Sequence, residues 1–94
     1  MNNLDAIFSP ESVAIIGASN TPGKVGHDIF ANILQGGFQG TLYPVNPNAK
    51  SILSVKTFPT IGAIADSVDL AIIILPPKAC VKAVEEAIAK GVKG

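Results

Sequence analysis

Between Gly17 and Gly26 the chain reads Gly-Ala-Ser-Asn-Thr-Pro-Gly-Lys-Val-Gly. Such a segment can hold phosphate. Glycines let the backbone turn closely, successive N–H groups can face an anion, and the positive end of a following helix adds to the attraction. Gly17 and Gly23 supply the turns, Ser19 a hydroxyl and Lys24 a cation, and Val25 leads into the next element. The bland reading is a tight turn with no ligand, which accounts for the glycines but not for their position between an apolar run and a helical pattern. The spacing is not the compact GxGxxG dinucleotide fingerprint. It is not a Walker phosphate loop either, because Val25 stands where that loop needs a Ser or Thr to hold Mg²⁺. ATP hydrolysis by this segment is therefore not expected.

Two further segments carry polar chemistry. Val45-Asn46-Pro47 closes an apolar run and is followed by Lys50, and Leu75-Pro76-Pro77 closes another and is followed by Lys78. An NAD site ordinarily places Asp or Glu at the end of its second strand, where the carboxylate binds the ribose hydroxyls. A carboxylate there would repel a ribose phosphate, whereas Lys50 attracts one. The pattern thus favours coenzyme A or NADPH over NAD.

Positioning these segments requires strands and helices in alternation. Ser12–Ile16 is short, branched and apolar, as suits a parallel strand covered on both faces. His27–Leu34 follows with Ile29, Phe30, Ile33 and Leu34 on one helical side, and Gly36 and Gly37 stop it. Thr41–Val45 predicts a second strand that Pro44 confines to an edge or a short length. Residues 52–58 allow a short extended piece whose pairing the pattern does not set, and residues 60–65 a brief helix weakened by Gly62. Leu70–Leu75 is a clearer strand. Lys78–Lys90 then places Val81, Val84, Ala87 and Ile88 at helical spacings, and Val92–Gly94 reads as the approach to another strand. The expected class is α/β, a Rossmann-like three-layer fold with a mostly parallel sheet and right-handed crossovers, truncated at the C-terminus. In such a sheet the three polar segments meet beyond the carboxyl ends of the strands.

The 94 residues suffice for one small domain, and with 48% hydrophobic and 15% charged residues the composition is that of a packed interior. Seven basic residues balance seven acidic ones, so nucleic acid and anionic membranes are not expected partners. The lone Cys80 excludes an internal disulfide framework and a cysteine-based metal site. Met1–Asp5 lacks the basic start and apolar core of a secretory signal, and no apolar run is long enough to span a bilayer. A cytoplasmic location is the expectation.

Taken together, "SPESVAIIGAS", the loop through "GKVG", "YPVNP", "VDLAIIILPP" and "GVKG" resemble the coenzyme-A-binding domain of the nucleoside-diphosphate-forming acyl-CoA synthetases, a family that includes ADP-forming acetate–CoA ligases and the succinyl-CoA synthetase α subunit. The resemblance implies that residues 1–94 are part of a Rossmann-like CoA-binding domain. It implies a CoA cradle with Gly17, Ser19 and Lys24 near phosphate groups, Val45, Asn46 and Pro47 on the nucleotide side, and Leu75, Pro76 and Pro77 framing the cofactor, with Gly23, Val25 and Lys50 as further candidate cofactor contacts. It also implies other ligase domains or an ATP-grasp subunit as partners, a small-molecule acyl substrate, ADP or GDP formation, and a phosphate-carrying histidine that lies outside this segment. Two positions depart from the family pattern. Asn48 stands where a Lys often follows the Asn-Pro step, and Ser54 replaces a frequent turn glycine.

Other reactive side chains have simpler roles. His27 opens the first helix as a structural residue, Cys80 lacks an activating base, and Asp66 and Asp69 cap local elements instead of forming a catalytic pair. Lys78 is expected at the surface. An NAD(P)-binding oxidoreductase domain, a stand-alone CoA-binding regulatory module and a fusion to an acyltransferase are the alternative readings.

Overall fold

The computed structural model describes residues 9–94. The Met1–Asp5 segment, read above as unlike a secretory signal, lies outside the described residues. The chain runs β1 (Ser12–Ile16), α1 (Val25–Gln35), β2 (Thr41–Val45), β3 (Ser51–Ile52), β4 (Val55–Lys56), a 3₁₀ turn (Ile61–Ala63), β5 (Leu70–Ile73) and α2 (Pro77–Lys90). Its centre is a parallel sheet in the order β2-β1-β5, with β1 paired on both sides. Val13, Ala14, Ile15 and Ile16 are all buried, which is why this strand is apolar at every position and not at alternate ones.

Because successive side chains of a strand point to opposite faces, β1 divides the interior in two. Val13 and Ile15 pack with Phe30 of α1 and Ile52 of the β3–β4 hairpin. Ala14 and Ile16 pack with Ile61, Ile64, Val68 and the α2 residues Ala83 and Ala87. The helices therefore cover opposite faces of the sheet, giving the Rossmann-like three-layer α/β fold.

Pro44 is compatible with β2 for a simple reason. Its carbonyl accepts from Phe58 N–H on the outer edge, and the residues on either side of it alternate inward, with Val45 accepting from Gly17 N–H. The N–H that proline lacks would thus have pointed away from β1. The hairpin pairs Ser51 with Lys56 and Ile52 with Val55 around a two-residue turn. Both turn residues, Leu53 at φ 48° and Ser54 at φ 70°, are left-handed, the geometry such hairpins need.

Helix α2 corrects part of one expectation. Of the stripe Val81, Val84, Ala87 and Ile88, Ala87 is buried as expected, whereas Val81, Val84 and Ile88 are exposed and Ala83 takes the other buried position. Small side chains at these two buried positions allow close packing against the sheet. β5 is also shorter than the expected Leu70–Leu75, although Ile74 N–H still donates to the Ile16 carbonyl. Beyond Gly91, which closes α2 in a left-handed conformation, Lys93 and Gly94 bond to Asp69 and Ala71 along the outer edge of β5. Among the described residues no helix is long and apolar enough to cross a membrane.

Candidate functional site

A cavity of about 490 Å³ opens beyond the carboxyl ends of the strands, on the α2 side of the sheet. Ile16 and Gly17 form its floor, and Val45, Asn46, Pro47 and Asn48 form the wall that continues β2. Pro59, Thr60 and Ile61 extend that wall, and Leu75, Lys78, Ala79, Lys82, Ala83 and Glu86 oppose it from the β5 end and α2. The volume lies within the range of about 300–1,000 Å³ usual for small-molecule sites, and the position is where open parallel sheets hold ligands.

Of the residues singled out in the sequence, Gly17, Val45, Asn46, Pro47 and Leu75 line this cavity together. Ser19, Gly23, Lys24, Val25, Lys50, Pro76 and Pro77 lie outside its lining, in the segments that continue from those walls. The Ser19 hydroxyl accepts from Thr21 N–H at 3.0 Å. Lys24 occupies the cap position before α1, exposed to solvent, and Val25 is the first helical residue. Lys50 stands at the base of the hairpin, its carbonyl accepting from Thr57 N–H. Pro76 and Pro77 begin α2, where proline's fixed φ and absent N–H suit a helix start.

Two glycines make the floor of the cavity possible. Gly17 has φ 99°, and a Cβ there would overlap the Ile74 carbonyl; a Cβ on Gly26 would overlap the Gly17 carbonyl. The first turn of α1 therefore sits directly against the end of β1. Gly17 N–H is spent on the Val45 carbonyl and Lys24 N–H on Thr21. Among the described residues, the amides of Ser19, Gly23 and Val25 donate to no backbone carbonyl.

Asn46 ties the site together. Its Nδ2 donates to the Ala18 carbonyl at 2.9 Å, its Oδ1 accepts from Asn48 N–H at 2.8 Å, and its own N–H donates to Phe58. The residue thus fixes the distance between the glycine loop and the β2 wall while lining the cavity. Asn20 does the corresponding work on the hairpin side, donating to the Ser51 carbonyl at 2.7 Å and accepting from Leu53 N–H at 3.2 Å. Sequence reasoning passed over Asn20. An amide inside a glycine loop was the available signal, but its partners lie more than 30 residues away and leave no local pattern.

Behind the β2 wall, Tyr43 donates its hydroxyl to Asp66 at 3.0 Å and meets Phe58 edge to face. Burial raises the Tyr43 phenol above its ordinary value of 10.0, and the hydrogen bond and negative charge of Asp66 push it in the same direction. Asp69 accepts from Glu11 N–H, so Asp66 and Asp69 serve separate structural contacts. His27 lies beside Asp28 at 2.9 Å, and the Cys80 thiol donates to the Leu75 carbonyl. Among the described residues no group of three or more His, Cys, Asp or Glu could share a metal ion.

The profile of a family described as "CoA binding domain" matches residues 11–94. The chain is 50% identical over 92 residues to the ADP-forming acetate–CoA ligase II of Archaeoglobus fulgidus, covering 98% of this chain and 14% of that protein. It is 41% identical to the α subunit of ADP-forming acetate–CoA ligase I of Pyrococcus furiosus, covering 97% of this chain and 21% of the relative. The solved dinucleotide forming acetyl-coenzyme A synthetase 1 of Candidatus Korarchaeum cryptofilum, in complex with phosphate and ADP, superposes with a TM-score of 0.92 at 36% identity, over 98% of this chain and 20% of that one. The chain thus spans about a fifth or less of the length of these relatives. A parallel sheet with its crevice at the strand ends, and a family match that runs from Glu11 to Gly94, lead to one assignment: the chain belongs to the CoA binding domain family.

Proposed function

We propose that this chain binds coenzyme A in the cavity beyond its strands, as the CoA-binding part of an acyl-CoA synthetase that forms a nucleoside diphosphate. The observation that carries the reading is the meeting of Gly17, Val45, Asn46, Pro47 and Leu75 around one nucleotide-sized cavity. In this reading those five residues touch the cofactor. Ser19, Gly23, Lys24 and Val25 present open amides and a cation from the glycine loop, while Lys50, Pro76 and Pro77 act from the segments that hold the two walls. The domain positions the CoA thiol for transfer of an acyl group. Phosphoryl chemistry belongs to other ligase domains or an ATP-grasp subunit, and residues 1–94 contribute no catalytic side chain. The ADP-forming ligase names of the relatives support this division, and the single free thiol of Cys80 suits a cytoplasmic protein.

Calorimetric titration of the intact protein tests the reading. Saturable one-to-one binding of CoA is expected, with NADPH failing to compete. Binding of NADPH without binding of CoA would replace it with an oxidoreductase domain.

A further inference from the structure

Seven lysines are the basic Lys and Arg residues of this chain, and of them Lys78 and Lys82 line the cavity. The others are placed or occupied elsewhere. The Lys90 ammonium donates to the Ile64 carbonyl, Lys56 lies 5.5 Å over the Phe58 ring, and Lys93 lines a separate groove beside β5. Lys24 precedes α1 and Lys50 stands at the hairpin.

Lys78 and Lys82 are four residues apart on α2, so their side chains rise from the same helix face one turn apart. Both are exposed, and neither pairs with a carboxylate among the described residues. Glu86, the next residue on that face, also lines the cavity. The wall therefore carries positive charge toward the start of α2, which the helix dipole reinforces, and negative charge farther along. Opposite stand the polar residues Asn46, Asn48 and Thr60. Two ammonium groups on adjacent turns suit a doubly charged phosphate monoester better than a singly charged group, because the second lysine gains only if the anion has charge left to share.

We propose that Lys78 and Lys82 recognise the phosphate monoester of the cofactor, and so make this wall of α2 the determinant that separates CoA from its dephosphorylated form. The inference rests on the CoA-binding reading above and deepens it. It makes the lysines specificity residues, and it assigns Glu86 the role of keeping the anion toward the start of the helix.

The test is paired titration of the intact protein with CoA and dephospho-CoA. The wild type should prefer CoA, and the Lys78→Ala/Lys82→Ala double variant should weaken CoA binding about tenfold while changing dephospho-CoA much less. The preference should then collapse toward unity, and Lys82→Arg should retain most of it. A Lys56→Ala/Lys93→Ala control makes the same change in net charge away from the cavity and should keep the preference. Circular dichroism of each variant separates lost recognition from lost folding, which these exposed positions should not cause. Equal wild-type affinity for the two ligands overturns the inference but leaves the CoA reading standing. So does a preference that survives the double variant, or one that falls only when Lys24 is replaced. Absence of CoA binding by the wild type overturns both.

Discussion

The two faces of the sheet are covered by helices of similar length but opposite character. On the α1 side, Phe30 fills the space over Val13 and Ile15, and Gly26 brings the helix against the strand end. On the α2 side the buried positions of the helix are the small residues Ala83 and Ala87, Tyr43 reaches a carboxylate, and the layer opens into the cavity at the strand ends. One face is closed by shape and the other is left accessible by it. The cavity thus opens on the side where the side chains are small, with the closed side acting as its fixed support.

The sharpest way to break this contrast is to attack the closed face. Replacing Gly26 with Ala adds a methyl group that meets the Gly17 carbonyl. Helix propensity favours Ala by about 1 kcal/mol, but a clash with backbone outweighs it, and a net loss of about 3 kcal/mol is expected. Chemical denaturation measures it, and an unchanged midpoint would mean that the support is softer than the packing implies.

A smaller effect probes the accessible face. Tyr43→Phe removes the hydrogen bond to Asp66 and should cost about 1 kcal/mol near neutrality. Because the folded protein raises the phenol pKa above 10.0, the protonated form stabilises the fold. That contribution is complete below pH 10 and disappears as pH rises through the folded-state value. The wild type should therefore lose stability at alkaline pH more steeply than the Phe variant. Tyr43 is the only tyrosine and the chain has no tryptophan, so phenolate absorbance reports its titration directly. A titration at the ordinary tyrosine value would remove the burial argument.

The smallest effect returns to the hairpin under the closed face. Ser54 holds φ 70°, a conformation that costs a residue with a Cβ about 1 kcal/mol. Ser54→Gly relieves that strain but frees the unfolded chain, leaving a net stabilisation of roughly 0.5 kcal/mol. A small rise in melting temperature is the expected result, and a fall would show that the serine side chain contributes more than its backbone costs.

Much of this arrangement was legible in the residues. Ser12–Ile16 and Thr41–Val45 appear with the expected boundaries, because branched apolar runs bounded by glycine or proline have few other solutions. Ser54 falls at one of the two left-handed turn positions, so a turn that favours glycine is held here by a residue with a Cβ. The α2 face was read correctly at Ala87 but not at Val81, Val84 and Ile88, because the stripe was chosen by hydropathy. Val84 and Ile88 instead border the groove beside β5, and Val81 faces solvent. Within the site, strand ends were readable as turn chemistry, but the cavity-lining position of Lys82 depends on how α2 lies across the sheet. No local pattern encodes that, nor the reach of Asn20 and Asn46 to distant carbonyls.

Pro44 has a consequence for the behaviour of the molecule in crowded solution. On the outer rim of β2 its nitrogen has no proton to offer, and Phe58 already occupies the Pro44 carbonyl and the Asn46 amide. An extended segment of a neighbouring molecule would find the Pro44 carbonyl and the Asn46 amide already taken, so edge pairing is disfavoured at that end of β2.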